Sequence, residues 1–148
     1  MRTAILDTSV YIGHFAMGWY AEALAGVRQS YAVRHSAVVL SELIRGTSSP
    51  GAARMVAQLC RLAGTAWVPD HSDWLAAGSV IARLGRRLGW EERRMRDIQN
   101  DVLIALTARK FGAVLYTADR KDFSMIRGLV QFEVVYVEPP ADGGRKGS

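Results

Sequence analysis

Residues 4–12 read AILDTSVYI. The run begins like a buried strand and then meets a carboxylate, Asp7. An unpaired carboxylate deep in an apolar core is costly unless it finds a partner or a metal. A strand that ends at Asp7 removes the conflict, because it carries the side chain out of the core to the strand's carboxyl end. Residues 113–119, AVLYTAD, repeat the design and close on Asp119. Two short apolar strands of this kind, separated by helical patterns, decide the fold class.

The first strand is expected over 2–7. Helical spacing follows over 19–29, and a β-branched stretch over 31–39 begins as a strand. A helix over 39–46 is stopped by Gly46, and TSSPG at 47–51 is a turn cluster. The spacing predicts a helix over 52–64 ending at Gly64, a brief strand within 65–70, and an amphipathic helix over 72–89 with Ser72 as N-cap. DIQNDVLIALTARKFG, 97–112, is the strongest helical pattern, with Asp97 as cap and Gly112 as stop. Strands follow at 113–119 and 132–140. The alternation implies an α/β three-layer sandwich with a mainly parallel sheet, and sites in such sheets form beyond the carboxyl ends of the strands. One domain over 1–138 is expected, with a flexible tail over 139–148.

Half the 148 residues are hydrophobic and the charged fraction is ordinary, which fits a folded globule. No apolar run reaches the roughly 20 residues that span a bilayer. Asp7 interrupts the only apolar stretch near the N-terminus, so no secretory pattern is read there. The lone cysteine, Cys60, excludes an internal disulfide. Together these features point to the cytoplasm. The net charge is +5, supplied almost wholly by arginine, and it suits a polyanionic partner. RLGRRLGWEERRMR, 83–96, concentrates six arginines and two glutamates, and reads as an RNA-gripping surface with Trp90 for stacking, or as a solvated helix end.

Four acids interrupt or end apolar segments: Asp7, Glu42 in VVLSELI, Asp101 in NDVLIALTA, and Asp119. Ile104, Ala105 and Ala108 share a helix face with Asp101, and the small alanines would draw it toward the sheet. Asn100 could hydrogen-bond a neighbouring carboxylate. Converging carboxylates repel by on the order of 4 kcal/mol per pair at about 4 Å in an effective dielectric of about 20. A hard divalent cation relieves that repulsion, and oxygen-only ligands favour Mg²⁺, with Mn²⁺ an alternative. His14, His35 and His71 form no zinc motif. A carboxylate-held cation in a basic protein suggests phosphodiester chemistry, in which the ion activates water and stabilises charge on phosphate.

The pattern resembles the PIN-domain ribonucleases, specifically VapC-like toxins of type II toxin–antitoxin pairs. The matching elements are LDTSV at 6–10, VVLSELIRG at 38–46, NDVLIALTA at 100–108 and LYTADRKDF at 115–123. Their order and spacing agree with the family across residues 1 to about 137. The resemblance implies a parallel sheet between helices and Mg²⁺-dependent endonucleolytic cleavage of RNA. It also implies a small VapB-like antitoxin as partner, and a homodimer. Asp7, Glu42, Asp101 and Asp119 fall on the family's acidic positions and form the implied metal and catalytic set. Thr8, Ser9 and Thr117 fall where family hydroxyls steady the acids. TADRKDF holds two candidates for the fourth acid, Asp119 and Asp122, and the sequence leaves both open, as it does the choice between one ion and two.

The rival reading is a non-catalytic module that holds RNA or a partner on the same scaffold. A phosphotransfer enzyme with Asp7 as nucleophile wants a second aspartate two residues on, where Ser9 stands. His14 and Cys60 read as packing residues, and Trp19–Tyr20 as a helix or dimer contact.

Overall fold

The computed structural model describes residues 1–141, so most of the expected tail lies outside the described residues. Strands β1 (Thr3–Leu6), β2 (Ala32–Arg34), β3 (Val114–Thr117) and β4 (Glu133–Tyr136) form one parallel sheet in the order β2-β1-β3-β4. Ala4, Ile5 and Leu6 are all buried, so side chains on both faces of β1 are covered. This is the signature of a parallel sheet with helices on both sides. The chain leaves β1 toward β2 and later returns to β3 on the other flank. The strand order therefore reverses between β1 and β3, where α/β sheets open a crevice.

Helices α1 (Thr8–Met17) and α2 (Ala21–Ser30) lie between β1 and β2. The expectation of a helix over 19–29 matches α2. The sequence pattern predicts no helix over α1, whose apolar residues lie nearly all round and carry little 3.6-residue periodicity. It starts directly at the end of β1, with Asp7 as N-cap residue and the Asp7 amide donating to the Tyr116 carbonyl at 2.9 Å. Gly13 is buried beneath the Trp19 and Tyr20 rings, where any β-carbon would overlap Tyr20. Tyr20 holds a left-handed backbone (φ 66°) to make that corner.

The stretch over 31–39 is a strand only as far as Arg34. Ser36 caps α3 (Ala37–Arg45) by accepting from the Val38 and Val39 amides. Helix α4 (Pro50–Ala63) starts two residues before the expected 52, with Ser49 as cap and proline in its first turn. The strand expected within 65–70 is reduced to one bridge, Ser36 to Trp67. Asp70 caps α5 (His71–Leu88), not Ser72, because Asp70 and Asp73 exchange backbone hydrogen bonds in a capping box. Ser72 instead donates to Asp70 at 2.7 Å.

Asp97 is also not a cap: it ends α6 (Glu92–Asp97), and Ile98 joins this turn to α7 (Gln99–Phe111). Ile98 is fully buried, and its burial fixes the break between the two helices. Val102 through Ala108 are all buried, which makes α7 the central helix of the fold. It packs on β1, β3 and α5. Helix α8 (Arg120–Arg127) begins one residue after Asp119, and the last strand is confined to β4 rather than 132–140. No described helix is long and apolar enough to cross a membrane.

Candidate active site

Asp7 and Asp119 leave the carboxyl ends of the adjacent strands β1 and β3. Asp101 enters from the first turn of α7, Asp122 from the first turn of α8, and Glu42 from α3. Among the described residues, Asp101, Asp119 and Asp122 each present a carboxylate oxygen within 4.8 Å of the others. Asp7 and Glu42 stand close enough that their charge weighs on Asp101. The structure thus gathers Asp101, Asp119 and Asp122 at ligand distance, with Asp7 and Glu42 near enough to act on Asp101.

Hydroxyl groups hold the acids. Ser9 Oγ and Thr117 Oγ1 both donate to Asp7 Oδ2, at 2.7 and 2.8 Å. Each hydroxyl also accepts a backbone amide at 3.0 Å, Ser9 from Ala118 and Thr117 from Asp119. The loop after β3 is thereby tied to the start of α1. Thr8 Oγ1 donates to Glu42 Oε1 at 2.8 Å and fixes that side chain across 34 residues. Asp119 caps α8 by accepting from the Asp122 amide at 3.0 Å. All three hydroxyls singled out in the sequence therefore touch the acids or the loops that carry them. Asn100 does not: it lines a groove with Ser41, Arg45 and Trp74 between α3 and α5.

The electrostatics are lopsided. Burial raises the Asp101 carboxyl to about 8, and the neighbouring charges of Asp7, Asp119, Asp122 and Glu42 add to the rise. Asp7 is 4% exposed, and burial pushes its carboxyl up against the lowering effect of the Ser9 and Thr117 hydrogen bonds. Asp119 is also raised, first by burial and then by Asp122 and Asp7. Arg94 on α6 answers part of this charge by bonding Asp122 at 2.6 Å, while its guanidinium lies 4.6 Å from the centre of the Trp90 ring. Sequence reasoning missed Arg94, whose partner lies 28 residues away. The only signal was its place in the arginine run.

Among the described residues, one half-buried guanidinium is ion-paired to this group of carboxylates, whose donors are hard oxygens. That donor set fits a hard divalent cation, and among the described residues no sulfur or imidazole joins it. His14 lies elsewhere, with Nδ1 3.1 Å from the Trp19 carbonyl oxygen, on an apolar cavity of about 360 Å³ shared with Tyr11, Arg28 and His35. Burial lowers His35 there. Cys60 lines an apolar groove with Ile44 and Val56.

The family model described as PIN domain matches residues 4–129. No curated protein matches the chain. Among solved structures, the chain is similar to DNA-bound VapBC from Salmonella typhimurium, with a TM-score of 0.66 and 21% identity over 92% of this chain and 98% of that one. It is similar to VapBC2 from Rickettsia felis bound to a promoter DNA fragment, with a TM-score of 0.65 and 18% identity over 92% and 99%. VapBC-1 from nontypeable Haemophilus influenzae gives a TM-score of 0.64 and 22% identity over 90% and 97%.

Proposed function

The chain belongs to the PIN-domain family, and from that premise we propose that it is a metal-dependent endoribonuclease, the VapC-like toxin of a toxin–antitoxin pair. The observation that carries the reading is the approach of Asp7, Glu42, Asp101, Asp119 and Asp122 at the strand ends, where Arg94 is the one cation ion-paired to them among the described residues. Asp7, Glu42, Asp101 and Asp119 would hold Mg²⁺ or Mn²⁺, with Asp122 beside Asp101 and Asp119. When bound, such a cation supplies charge neutralisation at phosphate and a more acidic water for in-line attack.

The chain's own groups do the positioning. Ser9 and Thr117 fix Asp7 through a single oxygen, which sets the plane of the carboxylate. Asp101 must lose its proton to serve as a ligand, so a cation and a proton compete for it. Glu42, held by Thr8, would orient or deprotonate the attacking water. Arg94 neutralises Asp122 and leaves Asp119 as the less compensated of the two C-terminal acids. The partners that follow from this reading are an RNA substrate, a VapB-like antitoxin and a second copy of the chain, all in the cytoplasm. The family-model span of residues 4–129 supports one PIN domain within 1–138.

The test is cleavage of structured RNAs by the purified chain, with Mg²⁺ and with EDTA. Cleavage that needs the cation and disappears in Asp7→Asn and Asp101→Asn supports the reading. RNA binding without Mg²⁺-dependent products would instead assign the scaffold to a non-catalytic module.

A further inference from the structure

We propose that residues 83–96 form a rigid arginine shelf that binds the phosphate backbone of RNA beside the acid pocket, a proposal that rests on the nuclease reading of that pocket. The stretch holds a net +4 in a chain whose total is +5. Its charge is spatially ordered. Arg83, Arg86 and Arg87 are exposed at i, i+3 and i+4 on the last turns of α5 and share one face. Arg93 and Arg96 are exposed at i and i+3 on α6.

The two helices are locked together. Gly85 meets Met95 so closely that an added β-carbon would lie 2.6 Å from Met95 Sδ. The Trp90 amide donates to the Gly85 carbonyl at 3.0 Å and closes the turn between them. Arg94 then fastens the shelf to the acids by bonding Asp122 at 2.6 Å. Its guanidinium covers the Trp90 ring, so Trp90 buttresses the shelf and its covered face does not stack on a base.

Arg94 is therefore the only one of the six arginines in an ion pair; the other five make none among the described residues, not even with Glu91 or Glu92. The negative end of α5 accounts for Arg86 and Arg87 in its last turn. It does not account for Arg83, Arg93 or Arg96. Five guanidinia outside any described ion pair, three of them with no helix end to account for them, are held on one rigid unit and repel one another, and a polyanion relieves that repulsion. Guanidinium pairs with phosphate through two parallel hydrogen bonds, and the unit adjoins a pocket suited to phosphodiester cleavage.

The experiment measures binding of a fluorescein-labelled single-stranded RNA by anisotropy, in EDTA, across a series of salt concentrations. It compares the native chain, Arg83→Glu/Arg93→Glu, and the control Arg54→Glu/Arg61→Glu, which makes the same charge change on exposed positions of α4. Circular dichroism confirms that each variant is folded. The shelf variant should lose about 1.4 from the slope of log K against log salt, two contacts at about 0.7 each. The α4 control should keep the native slope. In Mg²⁺, the shelf variant should raise KM about tenfold or more with kcat unchanged. Equal slope losses in both variants, or an unchanged slope in the shelf variant, would overturn the proposal. A native chain that binds RNA with the shelf-dependent slope yet never cuts it would refute the nuclease reading and leave the shelf standing.

Discussion

Two groups of aspartates in this molecule have the same chemistry and opposite states. At the start of α5, Asp70 and Asp73 share Lys110 at 2.6 and 3.3 Å, exchange backbone hydrogen bonds and take a further bond from Ser72. Lys110, and then Ser72 and the Asp73 amide, hold the Asp70 carboxyl well below the usual range. At the strand ends, Arg94 is the one guanidinium ion-paired to the five acids among the described residues, and burial lifts Asp101 to about 8. The first group is compensated by Lys110 and by the amides of the α5 start, and its acids stabilise that helix start. The second is incomplete, and its acids favour whatever brings positive charge. Burial together with the count of cations separates a structural aspartate from a functional one; residue type does not.

The sharpest way to break this comparison is to neutralise one acid in each group. Asp7→Asn and Asp101→Asn should each lower RNA cleavage by about a thousandfold or more, since each removes a charge meant to hold the cation at the reacting phosphate. Asp70→Asn should leave the cleavage rate within about twofold of the native chain, a level expected of a charge outside the site. Rates in Mg²⁺ on one RNA decide it. Loss of activity in Asp70→Asn comparable to Asp101→Asn would erase the distinction.

The second test is stability against pH in EDTA. A carboxyl raised in the fold stabilises only while protonated. The stability linked to Asp101 is fully present below its unfolded value near 3.9 and is lost as pH rises through about 8. Asp7 and Asp119 act in the same direction. Asp70, with its value lowered, contributes stability above about 4 that disappears only in stronger acid. The metal-free chain should therefore melt at falling temperature from about pH 4.5 to about pH 8. Asp101→Asn should flatten that slope and gain on the order of 3 kcal/mol at pH 8.5. Millimolar Mg²⁺ should flatten it too, because the cation favours the ionised acids. A melting temperature that rises over this range in EDTA would contradict the incomplete state of the strand-end acids.

How much of the fold and the site is legible in the sequence depends on the range of the interactions involved. Asp7 and Asp119 can be read from local pattern, because a carboxylate that closes an apolar strand must leave the core. Asp101 can be read from the alanine face that follows it. The start of α1 is hidden because its apolar residues carry no helical period, and only β1 ending at Leu6 forces the turn. Asp70 outcompetes Ser72 as cap because a second acid, Asp73, stands three residues on to complete the box. Arg94 and Asn100 lie beyond local reading. One finds its partner across 28 residues, and the other turns toward α3 and α5 rather than toward the acids.

A smaller effect tests the hydroxyl supports of the incomplete group. Thr117 is fully buried and links Asp7 to the Asp119 amide. Thr117→Val keeps the shape and removes both bonds. Affinity for Mn²⁺, read by calorimetry, should fall about 10- to 100-fold, as for other groups that orient metal ligands. Ser9→Ala removes the parallel bond to the same oxygen and should fall in the same range. An unchanged affinity in both would mean that Asp7 needs no orienting.

The smallest effects belong to the completed group, and they confirm it by their sign. Asp70→Ala removes the acceptor of the capping box together with the Lys110 bond, so the melting temperature at pH 7 should drop by a few degrees. Lys110→Met removes only an exposed cation shared by two acids, and its effect at pH 7 should be smaller still. The difference between the Lys110→Met and native melting temperatures should persist through mild acid and shrink only in stronger acid, where Asp70 takes up its proton. It should also shrink in high salt, which screens exposed charges and leaves the buried strand-end acids nearly untouched. If salt instead removed the pH slope of the metal-free chain, the strand-end acids would be as solvated as Asp70, and the two groups would differ only in their neighbours.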